Sequence, residues 1–416
     1  MTVTVFGLGF VGLTTALGLA EYGHKVYGVE ADQERLKTIC SSALPFLEPG
    51  LDDALRRHLN TNFFPTQTLG EALSQSGVIY YCVGTPYGVD GQADLTYLYT
   101  AMKQTLDTIR DGGFRVLVVK STVPPGTTEG CVIPFLHRLG ANVPEAFGVA
   151  NNPEFLREGH CWEDFIKADR IVLGTSDSHT ESVLRELYQN SGIPVYCVSP
   201  NTAEFIKYLS NSVLACLISY ANEMSQAAEA IGGIDIAEAF RVLHLDKRWQ
   251  TGSIRDYFYP GCGYGGYCLP KDTNALYAAV KAAGFDCEIL KQVILQNSAM
   301  PEVAAERIIQ AADGKAETCV GILGLSFNPG SDDVRDTPSA KIIEALNRRG
   351  WRNILAYDPV AMKVFQSQYH LEYQCAETYE QILEDADLFA ITTAWTCFKN
   401  LKRETGKPIV DCRYCL

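Results

Sequence analysis

Cys268 follows a run with four glycines in the six positions Gly261–Gly266 and precedes Leu269-Pro270-Lys271-Asp272-Thr273. So much glycine marks a loop, because a helix or strand interior would lose too much backbone entropy. From Asn274 to Ala283 the pattern is apolar at helical spacing, so the loop delivers Cys268 to the start of a helix. There the helix dipole and Lys271 would favour a thiolate, the reactive form of cysteine. Cys268 is then either a nucleophile or a buried structural thiol beside a tight turn.

A second chemistry lies at the other end of the chain. The β-branched run Val3–Phe6 is followed by Gly7-Leu8-Gly9-Phe10-Val11-Gly12, a helical run Leu13–Tyr22, and a strand His24–Val29 that ends at Glu30. Gly7 permits the tight turn, Gly9 admits a pyrophosphate to the backbone, and Gly12 lets helix and strand pack closely. The pyrophosphate sits on the helix N-terminus. Glu30 accepts from the ribose diol and repels a 2′-phosphate, which selects NAD over NADP, with Arg35 as the one argument the other way.

Other candidates are scattered. Thr85 and Thr122 end the apolar strands Gly77–Val83 and Phe114–Val119, and are either ligand contacts or turn-forming hydroxyls. Glu154 and Glu158 would share one face of a helical turn, as an acid–base pair or a solvated charged face. Lys207 and Asn211 are one turn apart in the long helical pattern Thr202–Ile231, either two donors aimed at one point or a snorkelling lysine and its neighbour. Arg335 is a phosphate or cofactor contact, or a loop ion pair with Asp332, Asp333 or Asp336.

The elements that must position these residues alternate strand and helix, so the fold class is α/β. The asparagine-rich segment Asn151–Gly159 follows a strand Gly148–Ala150, and Asp169–Gly174 reads as the strand ending this half. From Cys319 the pattern repeats in part: a strand to Leu325, a polar loop Ser326–Thr337, a helix opening on Thr337-Pro338 and stopping at Gly350, then strands Asn353–Tyr357, Leu388–Thr392 and Pro408–Val410. This half lacks the G-x-G-x-x-G run. The expectation is two Rossmann-like doubly wound domains joined by a long central helix, with a division at 1–198, 199–305 and 306–416. The chain has 416 residues, 47% hydrophobic and 20% charged, enough for several cores. A net charge of -14 argues against nucleic acid and membrane surfaces as partners. Fourteen cysteines in a chain this long read as thiols of a cytoplasmic protein, and Cys412–Cys415 is a lone CxxC without a second pair, so no metal site is expected. Thr2–Ala20 lacks the basic start of a signal peptide, and no run reads as a membrane span.

Taken in order, Gly7–Gly12, Val83-Gly84-Thr85-Pro86, Ser121–Thr128, Asn152–Gly159, Lys207 with Asn211, and Gly263–Asp272 resemble the UDP-glucose/GDP-mannose dehydrogenase family of nucleotide-sugar 6-dehydrogenases. The likeness runs the length of the chain. It implies an N-terminal domain for NAD, a C-terminal domain for the nucleotide of the sugar, and a homodimer through the central helix. The implied reaction is a four-electron oxidation of the sugar C6 alcohol to a carboxylate, with UDP-glucose to UDP-glucuronate as the first expectation and UDP-N-acetylhexosamine or GDP-mannose as rivals. By the same resemblance Cys268 is the nucleophile, Lys207 and Asn211 stabilise oxyanions, Asp272 holds a water, Glu154 serves thioester hydrolysis and Thr122 orients waters. Cofactor contacts are implied at Gly7, Gly9, Phe10, Val11, Gly12, Glu30, Thr85, Thr122, Glu158, Lys271 and Arg335. Substrate contacts are implied at Phe155, Leu156, Lys207, Asn211, Tyr257, Gly265 and Phe327. Asn328 replaces the usual lysine of that family, Glu30 the usual aspartate, and Cys412 the usual glycine. Two other readings remain: a two-electron dehydrogenase of the 6-phosphogluconate or hydroxyacyl type, which has no use for Cys268, and a non-catalytic nucleotide-binding protein.

Overall fold

Val3, Val5, Tyr80, Val116 and Val118 turn to one side of a sheet, and Phe6, Ile79, Tyr81, Leu117 and Val119 to the other; both sets are buried. Helices cover both faces, which is why these strands read as continuous apolar runs. The computed structural model describes residues 1–86, 93–109, 112–246 and 257–416. Its first sheet contains β1 (Thr2–Phe6), β2 (Lys25–Val29), β3 (Phe63–Thr66), β4 (Val78–Tyr81), β5 (Arg115–Val119), β6 (Phe147–Asn151), β7 (Ile171–Gly174) and β8 (Val195–Val198). They lie in the order β3-β2-β1-β4-β5-β6-β7-β8. Neighbours are parallel except β6 against β7. The order reverses between β1 and β4, where doubly wound sheets open a crevice for ligands.

The second sheet repeats the pattern with β9 (Val320–Leu323), β10 (Ile354–Tyr357), β11 (Gln374–Cys375), β12 (Leu388–Ile391) and β13 (Ile409–Asp411), in the order β11-β10-β9-β12-β13 and all parallel. Val320, Ile322, Ile354 and Ala390 pack on one face, Leu323, Leu355, Phe389 and Ile391 on the other. The chain divides into two compact units, Met1–Leu209 and Ser210–Leu416. The central helix Pro200–Ile231 separates the two sheets in sequence.

Two expectations need correction. The first half does not end at Gly174, since a helix Ser178–Tyr188 and β8 follow. The helix after the glycine loop starts at Cys268 itself and runs to Ala282; Pro270 is tolerated in its first turn because an N–H there would have no intrahelical partner. As expected, Thr337 stands at the N-cap of the helix Pro338–Arg348, with Pro338 in its first turn. Among the described residues no helix is long and apolar enough to cross a membrane.

Candidate active site

Gly7 has φ +83°, and a Cβ there would meet the carbonyl oxygen of Cys82 at 2.7 Å. A Cβ on Gly12 would fall 1.7 Å from the carbonyl oxygen of Gly7. The chain itself therefore requires both glycines. Gly9 is different, with nothing within 4 Å of its Cβ position. The helix Phe10–Glu21 opens directly behind it, and Gly9 offers that helix no side-chain cap. An open space over a helix N-terminus fits a pyrophosphate. Phe10 packs its ring on Phe46 at 5.5 Å, and Val11 is partly buried beside it.

Glu30 is buried and already engaged. Its Oε2 accepts the N–H of Leu8 at 2.8 Å and Arg35 Nη1 at 3.2 Å, and its Oε1 accepts the N–H of Asp32 at 2.9 Å. A carboxylate has about four lone-pair positions. With three donors on it, Glu30 keeps acceptor capacity that ribose hydroxyls can use. Arg35, the argument for NADP, is paired with Glu30. This turn fits NAD.

The loops after β4 and β5 are stapled together. Thr85 Oγ1 donates to the carbonyl oxygen of Thr122 at 2.8 Å, and Ser121 Oγ to that of Val83 at 2.6 Å. The Thr85 hydroxyl proton is thus used inside the chain, leaving its oxygen as an acceptor. The following residues are held from the central helix. Glu204 accepts the N–H groups of Gly126 at 2.7 Å, Thr127 at 3.2 Å and Thr128 at 2.8 Å, while burial pushes its carboxyl up.

One turn further along the same helix, Lys207 Nζ lies 2.8 Å from Glu154 Oε1, with both side chains buried. Lys207 is therefore no snorkelling residue, nor Glu154 part of a solvated face. Burial alone would raise the Glu154 carboxyl, but the Lys207 ammonium and the N–H of Leu156, at 2.6 Å, hold it below its usual value. The Phe155 ring lies 5.7 Å from Lys207 Nζ. Glu154 and Glu158 do not share a helical face: residues 152–157 are irregular and Glu158 begins a turn. Pro153 disfavours the helical conformation at Asn152, and the Glu154 carboxylate occupies the Leu156 N–H. Glu48 braces the end of this segment by accepting from the N–H groups of Gly159 at 2.9 Å and Cys161 at 2.7 Å.

Sequence reasoning gave no role to Lys120, which the structure buries at the C-terminal end of β5. Burial brings its ammonium down to about 8. The available signal was a lysine directly after an apolar strand, at the edge where ligands bind.

In the second unit the glycine loop packs on its own domain. Gly261 N–H donates to Asn222 Oδ1 at 2.7 Å, and Tyr264 N–H to Asn297 Oδ1 at 2.7 Å. A Cβ on Gly265 would strike the carbonyl oxygen of Asp336 at 2.4 Å, and one on Gly266, at φ +76°, the ring of Phe327 at 3.0 Å. Gly265 and Phe327 thus meet elements of their own fold. Cys268 is the first residue of its helix and is half-buried. One turn on, Asp272 is buried and accepts Asn211 Nδ2 at 2.6 Å and Lys271 Nζ. Lys271 Nζ also lies over the Tyr267 ring at 5.6 Å, and the Arg335 guanidinium over the same ring at 4.5 Å. Arg335 pairs with Asp333, as its loop ion-pair reading expects. Tyr257 is half-buried. All fourteen cysteines are described and none is in a disulfide. Among the described residues no cluster has the makings of a metal site.

The first unit therefore offers a buried carboxylate against an ammonium, equipment for proton transfer and oxyanion stabilisation. The second offers a thiol at a helix N-terminus with a buried carboxylate one turn on, equipment for nucleophilic catalysis.

Three family profiles match the chain: the UDP-glucose/GDP-mannose dehydrogenase family NAD-binding domain over residues 1–191, its central domain over 201–299, and its UDP-binding domain over 321–416. A UDP-glucose 6-dehydrogenase of Pseudomonas aeruginosa is 37% identical over 412 residues, covering 96% of this chain and 89% of the relative. The UDP-glucose 6-dehydrogenase YwqF of Bacillus subtilis is 36% identical, covering 99% and 91%. Of solved structures, a UDP-glucose dehydrogenase of Pyrobaculum islandicum superposes with a TM-score of 0.93 at 37% identity, covering 100% of this chain and 94% of that one.

Proposed function

The chain belongs to the UDP-glucose/GDP-mannose dehydrogenase family, and on that premise we propose that it oxidises the C6 alcohol of UDP-glucose to the carboxylate of UDP-glucuronate. It is an NAD-dependent oxidoreductase. The relatives at 36–37% identity that carry this activity by name support the choice of sugar. The observation that carries the chemistry is Cys268 at the first residue of a helix, with Asp272 one turn behind it held by Asn211 and Lys271.

Bound at the Gly7–Gly12 turn, NAD supplies the acceptor for the hydride that leaves C6 in each oxidation. The chain does the rest. Cys268 Sγ adds to the aldehyde carbon, forming a C–S bond and a thiohemiacetal. Oxidation of that adduct leaves a thioester, and water then displaces the thiol to give the carboxylate. Lys207 stabilises the oxyanions of these steps. Asp272 holds a water for proton transfer. Glu154, kept ionised against Lys207, takes a proton from the hydrolytic water. The functional division is 1–198 for NAD, 199–305 for the central region with Cys268, and 306–416 for the UDP group. A homodimer through the central helix belongs to the same proposal. Its support is the exposed apolar set Phe205, Leu209, Val213 and Tyr220, which falls on one helical face. A cytoplasmic location belongs to the same proposal and suits cysteines that form no disulfide.

The test is stoichiometry and substrate range. UDP-glucose should yield two NADH per molecule, and Cys268→Ala should bind NAD normally yet complete no turnover. One NADH per sugar with an aldehyde as the final product, or full activity in Cys268→Ala, overturns the mechanism. Faster turnover of UDP-N-acetylglucosamine, UDP-N-acetylmannosamine or GDP-mannose overturns the choice of sugar.

A further inference from the structure

Lys120 follows β5, whose residues Arg115–Val119 are all buried, and is itself only 5% exposed. Lysine rarely sits so deep without a partner, since removing an ammonium from water is costly. Its Nζ donates to Asn152 Oδ1 at 3.0 Å. The amide orientation follows from its surroundings: Asn152 Nδ2 donates to the carbonyl oxygen of Val172 at 2.8 Å, so Oδ1 faces Lys120. The same Oδ1 accepts the Tyr188 hydroxyl at 2.9 Å, and the Tyr188 oxygen accepts that of Tyr80 at 2.9 Å. Every member of this chain is neutral apart from Lys120, so none of them balances its charge.

The opposite charge is Glu154. Lys120 and Glu154 line the same cavity of ≈ 50 Å³, room for a few water molecules. Lys207, on the central helix, stands 2.8 Å from the same carboxylate. We propose that Lys120 is a positioning residue for thioester hydrolysis: with Lys207 it brackets Glu154 between two buried ammoniums and keeps that carboxylate ionised while it takes the proton of the attacking water. This rests on the assignment of Glu154 given above.

The other titratable groups around the bracket are few. Cys82, from the end of β4, has its thiol pushed up to about 12 by burial and stays neutral at working pH. Asp164 and Arg170 line the cavity, and Asp164 is tied to Arg157 at 2.6 Å. Burial lowers Lys120 to about 8, with the Glu154 carboxylate opposing the shift and the Lys207 ammonium adding to it. Below that pH Lys120 is charged and helps hold Glu154 down. Without it, the effect of burial on Glu154 is less opposed, and Glu154 titrates at higher pH.

The experiment compares hydrolysis of the thioester across about pH 3.5–9 in the wild type, Glu154→Gln, Lys120→Gln and Lys120→Arg, with acid quench and mass measurement of the adduct on Cys268. Lys120→Gln keeps a donor for Asn152 but no charge. Its acid limb should move up by about one pH unit, with adduct accumulating at about pH 4.5, where the wild type still hydrolyses it, unchanged NAD affinity, and convergence with the wild type above about pH 7. Lys120→Arg should restore the wild-type limb. A Lys120→Gln profile that superimposes on the wild type overturns the bracket, as does an arginine variant displaced as far as the glutamine one. Unimpaired hydrolysis in Glu154→Gln overturns the assignment of Glu154 and the bracket with it, whereas impaired hydrolysis there with an unmoved Lys120→Gln limb overturns the bracket alone. Should Lys120→Gln fail to fold, Lys120→Met against Lys120→Arg gives the same comparison.

Discussion

The turns after β1 and β9 begin alike and end differently. Gly7 and Gly324 both have positive φ, at +83° and +101°, and neither has room for a Cβ. Each is followed by a leucine whose N–H, at 2.8 Å, is accepted by the acid closing the second strand of its sheet: Glu30 for Leu8, Asp358 for Leu325. There the likeness stops. After β1 only Gly7-Leu8-Gly9 precede the helix, and the space at Gly9 is open. After β9 the chain runs from Gly324 to Thr337 before its helix. Ser326 turns both its N–H and its hydroxyl into Asp358, each at 3.0 Å, and the Trp395 indole N–H adds a fourth donor to the same oxygen at 3.1 Å. Val360 and Ala361 N–H groups occupy the other oxygen. A carboxylate has about four lone-pair positions, so Asp358 is saturated where Glu30 is not. The same crossover topology thus yields an acid with acceptor capacity to spare in one sheet and a saturated internal brace in the other. The difference is made by the residue two after the first glycine.

Substitutions at matched positions can break this contrast. The largest effect is expected at Gly12→Ala, whose Cβ would fall 1.7 Å from a backbone oxygen that has nowhere to go. NADH formation should fall by at least about a hundredfold, with a lower Tm. Gly324→Ala meets Thr393 and should lower Tm as well, but the fraction that folds should bind NAD normally in a titration. Loss of NAD affinity in folded Gly324→Ala would abolish the distinction. Next, Asp358→Asn turns an amide nitrogen towards N–H donors and should cost about 2–4 kcal/mol in urea unfolding, with the KM for NAD unmoved. Glu30→Gln should do the reverse, raising that KM roughly tenfold, equivalent to about 1.4 kcal/mol, with a smaller change in Tm. If both variants shift KM alike, the two acids have one role. Gly9→Ala sharpens the point: Tm should stay put because nothing surrounds the new Cβ, while NAD affinity should weaken by roughly tenfold. The smallest effect is Trp395→Phe, which removes one donor from Asp358 for about 1 kcal/mol and leaves NAD kinetics alone.

The parts legible in the sequence are those written in short-range sterics and periodicity. Gly7 and Gly12, the strand–helix alternation of both halves, and the central helix to Ile231 were all visible there. So was the placing of Cys268 at a helix start, although Pro270 concealed where that helix begins. The resemblance added Lys207, Asn211, Glu154 and Asp272 as a set. What remained hidden depends on partners far apart in the chain. Nothing local to Lys207 reveals that its ammonium is buried against Glu154, or that Glu204 one turn earlier holds the N–H groups of Gly126–Thr128. The glycines before Cys268 read only as a loop; that Asp336 and Phe327 leave no room for a Cβ at Gly265 and Gly266 shows only in the fold.

By itself, then, the sequence determined the two doubly wound sheets, the dinucleotide turn and the family, because backbone conformation and strand burial depend on neighbours a few residues away. The tertiary structure alone decided which charges are buried, what neutralises them and which lone pairs are still available. Those properties arise from sheet register and helix docking, which set Lys120 and Glu154 on one cavity and crowded Asp358 with donors while leaving Glu30 with fewer.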